Sequence, residues 1–406
     1  MAFPLRRWLL PVALLTVVAC SERKSAPTEQ ASPPAQAPDS ATAARPAPAA
    51  PAPQPAPVDT SDVQDVAAYL AGMPVKQSSG LRALTAKPEW QRFAADADKS
   101  WAGYDATRTD KIEAWGRQEL DSVRRTSPVV FYPFSGPDLL NAVTMFPQSN
   151  TYVLVGLEPV GSVPGQTSLE SPKLYNAVKT SLWSVLNFSF FRTNSMAVDL
   201  KSLELDGSLP LILLFAARTH HQITDVRYIR LTPEGEAVPA DSADAKSKLV
   251  PGVEVAMRAA DGHEQKVYYF SADLSDWKLG QTKASILQYT RSLGPLTTYV
   301  KSATYLMHKP YFSQVRNLIL ERSRYVLQDD SGIALKYFQP ADWQFIHYGT
   351  YRKPIPMFAK HYQPTLTAAY RDSVNKARPL PFGTGYNWRV NDSNLMLAKR
   401  RTEPAS

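Results

Sequence analysis

Val129-Val130-Phe131-Tyr132-Pro133-Phe134-Ser135-Gly136-Pro137-Asp138 opens the stretch on which the fold turns, and Thr151-Tyr152-Val153-Leu154-Val155-Gly156-Leu157, followed by Glu158-Pro159-Val160-Gly161, closes it. Each end is a short apolar run rich in residues that favour a pleated, covered surface. Between them, about Asp138 to Phe146 reads as a short helix. Strand, glycine-containing turn, helix and second buried strand make a βαβ unit near 128–158. Both strands lack the polar alternation of a half-exposed sheet, so the sheet should be parallel and covered on both faces.

Working outward toward the amino terminus, Val63, Val66, Ala67 and Leu70 recur at helical spacing before Gly72 and Pro74. Asp110 with Glu113 predicts a capping box for a helix running to about Arg125. Ser171-Pro172 opens another helix, with Leu174, Val178, Leu182 and Val185 on one face. From 209 to 272 the pattern predicts an antiparallel meander, with Leu211 to Ala217 as a buried strand and Asp261-Gly262 at a hairpin turn. His220-His221 falls at its first turn, where adjacent side chains point to opposite sides and do not make a metal site together. Residues 283–323 read as helices, one of them marked by Leu296, Tyr299, Val300, Ala303 and Leu306. Tyr325-Val326-Leu327 and Ile333 to Phe338 read as a hairpin around Asp329-Asp330-Ser331-Gly332. The expected class is mixed α/β, of the α+β kind, with flanking helices.

The first 58 residues differ in kind from the rest. Arg6 and Arg7 precede an apolar run, Trp8 to Ala19, which is too short to span a bilayer and of the right length for an export signal. Leu14-Leu15-Thr16-Val17-Val18-Ala19-Cys20 ends on the chain's one cysteine. It resembles the lipobox of a bacterial lipoprotein signal peptide, with the small Ala19 before the cysteine and Val17 where leucine is commonest. The resemblance implies that residues 1–19 are removed and that Cys20 carries the lipid. Two or three acyl chains would give a stable membrane anchor. Ser21, rather than an acid, after the cysteine implies the outer membrane, facing the periplasm. Ten prolines then lie among alanines between residues 21 and 58. That composition favours an extended spacer between the lipid and a globular region at 59–406.

The chain carries a formal charge of +8; residues 1–58 hold five basic and three acidic side chains, leaving +6 for the remainder. An excess so modest and so dispersed suits anionic envelope polymers and gives no clustered footprint for nucleic acid. Without a second cysteine, the globular region has no disulfide, thiolate–metal site or cysteine nucleophile.

Candidate site residues fall into three groups. Ser135, Gly136, Asp138 and Glu158 occupy the turns of the βαβ unit. This unit resembles the opening of a Rossmann-like methyltransferase, in which a turn after the first strand approaches the cofactor and an acid after the second binds its ribose. The single Gly136 and the donor-less Pro137 depart from a glycine-rich turn, so no cofactor is expected. Asp329, Asp330, Asp342 and His347 are the acids and base from which a carboxylate-dependent hydrolase or transferase of envelope glycans or peptides could be assembled. The third group lies in a segment where twelve of the 52 residues from 337 to 388 are aromatic, against 10% for the chain. Cations such as Arg352, Lys353, Lys360 and Arg371 interleave with those rings. Arg352, Gly383, Gly385, Tyr386 and Trp388 are its candidate binding residues, because rings offer contact area at low entropy cost and arginine binds anions through two parallel bonds. Segments Phe131–Asp138, Leu154–Gly161 and Pro381–Trp388 also resemble bacterial proteins of unassigned function, which adds no chemistry. The leading expectation is a lipid-anchored, non-catalytic envelope protein that binds cell-wall or other envelope components through this aromatic and basic surface. The alternatives are the hydrolase or transferase and a degenerate Rossmann-like cofactor-binding domain.

Overall fold

A computed structural model describes residues 60–188, 204–241 and 249–402; Cys20 and its spacer lie outside the described residues. The described residues belong to one compact unit. They form a mixed α/β fold around one ten-stranded sheet of order β4-β3-β5-β6-β2-β1-β7-β8-β10-β9. In chain order the strands are β1 (Val129–Tyr132), β2 (Thr151–Gly156), β3 (Gln222–Leu231), β4 (Ala237–Pro239), β5 (Val250–Arg258), β6 (Glu264–Ser271), β7 (Leu296–Val300), β8 (Ser323–Gln328), β9 (Trp343–Gly349) and β10 (Asn394–Arg400).

β1 and β2 run parallel, Val130 opposite Tyr152 and Tyr132 opposite Leu154, joined through the helix Leu139–Met145. The expected βαβ unit is therefore the middle of the sheet. β6 adds in parallel beyond β2, and β7 and β8 add in parallel on the other side of β1. The five parallel strands thus follow the 3-2-1-4-5 order of a doubly wound sheet, whose winding reverses between β1 and β7. Antiparallel β10 separates β8 from β9, so β9 points the same way as β8.

Alternation along the central strands explains why both faces are covered. Val130, Tyr132, Tyr152 and Leu154 pack into one core with the helices Thr60–Leu70, Pro88–Tyr104, Leu139–Met145, Leu174–Phe188 and Leu209–Arg218. Val129, Phe131, Val153 and Val155 pack into the other with Asp276–Gln281, Ser285–Ser292 and Ser313–Arg322. Each fully buried large apolar side chain contributes about 1.5–3 kcal/mol relative to exposure.

Four local expectations are corrected. Leu209–Arg218 is a helix with all but Arg218 buried, so the meander begins at Gln222 and runs β3-β5-β6, with β4 on the outer edge. A continuous apolar run has no period to distinguish a buried strand from a buried helix. Leu296–Val300 is strand β7, not a helix; Leu-Thr-Thr-Tyr-Val suits a pleated strand, and helical spacing there was coincidental. Ile333 to Phe338 forms no hairpin with β8, which instead pairs with β7 and β10. Asp110 caps nothing, because Pro88–Tyr104 continues through a wide turn at Asp105–Thr109 directly into Asp110–Glu119.

Candidate functional site

In an open sheet of this winding, ligand crevices lie beyond the carboxyl ends of the parallel strands, at the reversal point. Here that edge gathers the turns after β1, β2, β7, β8 and β9 and the loop leading into β10. The Ser135–Asp138, Asp329–Ser331 and Gly383–Gly385 turns all arrive there.

The turn after β1 folds back over β2: Ser135 and Gly136 both donate their N–H to the Val155 carbonyl, at 2.9 and 3.3 Å. Asp138 caps the following helix, its Oδ1 accepting from the Asn141 N–H at 3.2 Å and from Asn141 Nδ2 at 2.8 Å. Its Oδ2 accepts from the Tyr132 hydroxyl at 2.9 Å and from Lys301 Nζ at 3.0 Å. Lys301 follows β7 directly, and the pair is almost fully enclosed. Burial holds the Lys301 ammonium below its ordinary value even though Asp138 pulls the other way.

Glu158, the acid after β2, is also turned inward. Its carboxylate sits over Gly136 and beside Gly156, where a Cβ would collide with it, and the Tyr269 hydroxyl donates to its backbone carbonyl at 2.8 Å. Burial pushes its carboxyl above the usual range. An acid offered to a ribose would have to face an open crevice; this one is enclosed.

Asp329 and Asp330 end β8 and are buried side by side. Asp329 accepts from the Ser302 and Ser331 N–H groups, at 2.8 and 2.9 Å, and from the Ser331 hydroxyl. Asp330 accepts from Asn394 Nδ2 at 2.9 Å and from the Tyr305 hydroxyl. Burial, reinforced by the neighbouring Asp330 charge, pushes Asp329 up to about 7. Beside the pair is a cavity of about 10 Å³, lined in part by Gln328, Gln363, Tyr370 and Asn394. It has room for about one water.

The other expected acid and base do not join them. Asp342 is exposed and precedes β9, with its carbonyl accepting from the Arg401 N–H. Asn394, which holds Asp330, lies opposite Gly349 at the far end of the β9–β10 ladder, whereas Arg400 lies opposite Trp343. Six residues of strand separate those ends, about 20 Å. His347 lies within β9 opposite Met396 and packs on Tyr370 at 4.9 Å between ring centres; burial lowers its basicity.

The loop before β10 closes this edge. Arg108 donates to the Gly383 carbonyl, and the Tyr386 hydroxyl donates to the Ser302 carbonyl at 2.8 Å. Gly385 adopts φ +70° directly over the Asp329 carboxylate, which leaves no room for a Cβ. Gly383 and Gly385 are buried, Tyr386 and Trp388 are half-buried, and Arg352 is exposed. A guanidinium from Arg389 lies over the Trp388 ring at 5.2 Å.

Packed against this sealed interior, the same edge carries residues that the sequence pattern did not bring together. The Tyr305 ring stacks on His361 at 4.9 Å and on Tyr386 at 6.3 Å, and His308 meets both Tyr305 and His361 edge-on. Lys309, Lys336, Arg352, Lys353 and Lys360 come from the loops after β7, β8 and β9. The only available signal was the interleaving of rings and cations after residue 337; the half of the cluster at 301–312 was hidden by reading β7 as a helix. Among the described residues no three His, Cys, Asp or Glu side chains gather as a metal ion requires, and no helix is long and apolar enough to cross a membrane. No protein-family model matches the chain, and no curated protein matches it.

Proposed function

We propose that this chain is a lipid-anchored protein of the bacterial cell envelope that binds a partner without transforming it. The binding face is the aromatic and basic surface at the carboxyl edge of β7, β8 and β9. One observation carries the reading: the carboxylates inside that edge are held by buried partners, whereas its outer surface presents cations and rings. Asp138, Asp329 and Asp330 have their oxygens occupied by Lys301, Tyr132, Ser302, Ser331, Tyr305 and Asn394. General acid–base work needs a carboxyl within reach of a substrate, and these are shut away from one. Arg352, Lys353 and Lys360 are exposed, together with Tyr311, Met357 and Tyr362. Such a face suits anionic envelope polymers or the acidic groups of envelope proteins. The lipid on Cys20 and the proline-rich spacer would hold the domain within reach of them. Incubating the full chain with purified cell-wall and outer-membrane material tests this. The combined Arg352→Glu, Lys353→Glu and Lys360→Glu variant should lose about tenfold or more in retention; equal retention would reject the reading.

The strand order supports a second reading, a Rossmann-like cofactor-binding domain that has lost its crevice. Antiparallel β10 between β8 and β9 adds to the likeness to the methyltransferase form of that fold. The enclosed Glu158 and the Lys301–Asp138 pair argue against a retained ligand. Native mass spectrometry of the chain isolated from cells would favour this reading if a nucleoside-sized mass accompanied the protein.

A further inference from the structure

The two histidines of the carboxyl edge stand in an unusual electrostatic setting. His308 feels the charges of Lys336 and Arg316, and His361 those of Lys360 and Lys309. These cations come from three separated segments: 306–316 after β7, the short turn Leu335–Tyr337 after β8, and Pro356–His361 after β9. Tyr337 ties the first two together: its hydroxyl donates to the His308 carbonyl at 3.3 Å, and Arg316 lies over its ring at 3.9 Å. Lys309, Lys336 and Lys360 have no carboxylate partner among the described residues; Lys309 and Lys336 instead rest over Tyr311 and Tyr337, at 5.6 and 5.0 Å. Asp330, six residues before Lys336, is turned inward and held by Tyr305 and Asn394. His308 Nε2 is enclosed without a hydrogen-bond partner, and burial with the surrounding positive charge lowers that ring to about 4.

Cations from three loops thus surround the same two imidazoles, and Tyr305, Tyr337 and the imidazole stack tie those loops together. That arrangement is stabilised by an arriving anion. We infer that His361, Lys309, Lys336 and Lys360, backed by His308, form a binding site for a phosphate group. A phosphate brings more charge and more acceptor oxygens than a single carboxylate, matching several ammonium donors and one imidazole. The exposed rings of Tyr311 and Tyr362 and the side chain of Met357, 51%, 47% and 77% accessible, border the cluster and suit a ligand with an apolar portion next to its phosphate. The site rests on the binding role proposed above and specifies its ligand chemistry.

The test uses the full chain and titrates inorganic phosphate, following the ring resonances of His308 and His361 by NMR and the heat by calorimetry. Saturable binding that shifts both rings is expected. It should weaken about tenfold or more in the combined Lys309→Gln, Lys336→Gln and Lys360→Gln variant, as loss of several charge-assisted bonds requires. The His361→Gln variant should weaken it while leaving the circular dichroism spectrum unchanged. Phosphatidylglycerol vesicles, compared with phosphatidylcholine vesicles, form the second arm. Charge-dependent, variant-sensitive binding to the former assigns the phosphate to a lipid headgroup, and free phosphate binding alone assigns it to a soluble ligand; both support the site. Absence of saturable phosphate or vesicle binding, or equal affinity in the triple variant, overturns it. Retention on envelope material that survives such a result would leave the binding reading standing and remove only the phosphate assignment.

Discussion

Lys301 Nζ lies 3.0 Å from Asp138 Oδ2, with the lysine side chain 1% and the aspartate side chain 3% accessible. The pair joins the turn after β1 to the end of β7, across the point where the winding of the sheet reverses. In folds of this order a ligand occupies that position; in this chain an internal ion pair does.

Removing one partner leaves the other charge buried without compensation. Lys301→Met or Asp138→Asn alone should lower unfolding free energy by about 3–5 kcal/mol. The double variant should recover a large part of that loss, since it leaves neither charge buried without a partner. Urea unfolding of the four proteins checks this. Additive losses would show that the two residues act independently.

Asp329 gives a pH dependence of definite sign. Its folded value, raised from 3.8 to about 7 by burial and by Asp330, means that the folded protein holds this proton more tightly than the unfolded chain. The associated stability is fully present below 3.8 and is lost as pH rises through about 7. The maximum slope is about 1.4 kcal/mol per pH unit. Asp329→Asn should show a flatter stability profile than the parent protein across that window, apart from a constant cost for the altered hydrogen bonds. Parallel profiles would mean that Asp329 ionises normally in the folded state.

Gly385→Ala should destabilise the fold, because φ +70° and the underlying Asp329 carboxylate both oppose a Cβ. The left-handed conformation alone costs about 1–2 kcal/mol for a non-glycine residue. Thermal unfolding measures this. An unchanged midpoint would show that the loop relaxes away from Asp329.

The sequence made the middle of the sheet legible because β1 and β2 are apolar on both faces and are separated by a turn that only a short helix could follow. It misled where periodicity is silent. Leu209–Arg218 is apolar throughout, and Leu296–Val300 happens to place large residues at helical intervals. In the candidate site, Asp138, Glu158, Asp329, Asp330, Gly383 and Gly385 could be recognised as turn residues. Their mutual closure could not, because it depends on partners remote in sequence: Lys301 for Asp138, Tyr269 for Glu158, and Asn394 for Asp330. The basic cluster was half visible, since Lys360 and His361 lie in the aromatic segment while His308 and Lys309 follow β7, whose large residues fall at helical intervals. Cys20, the clearest motif in the chain, speaks to anchoring and lies outside the described residues.

The carboxyl edge of the parallel strands is the face proposed to meet the partner. A photo-crosslinking amino acid at Tyr362, exposed on that edge, and another at Asn150, exposed before β2 on the opposite edge, test it in intact cells. The Tyr362 probe should capture envelope material and the Asn150 probe little. Capture from Asn150 with none from Tyr362 would contradict it.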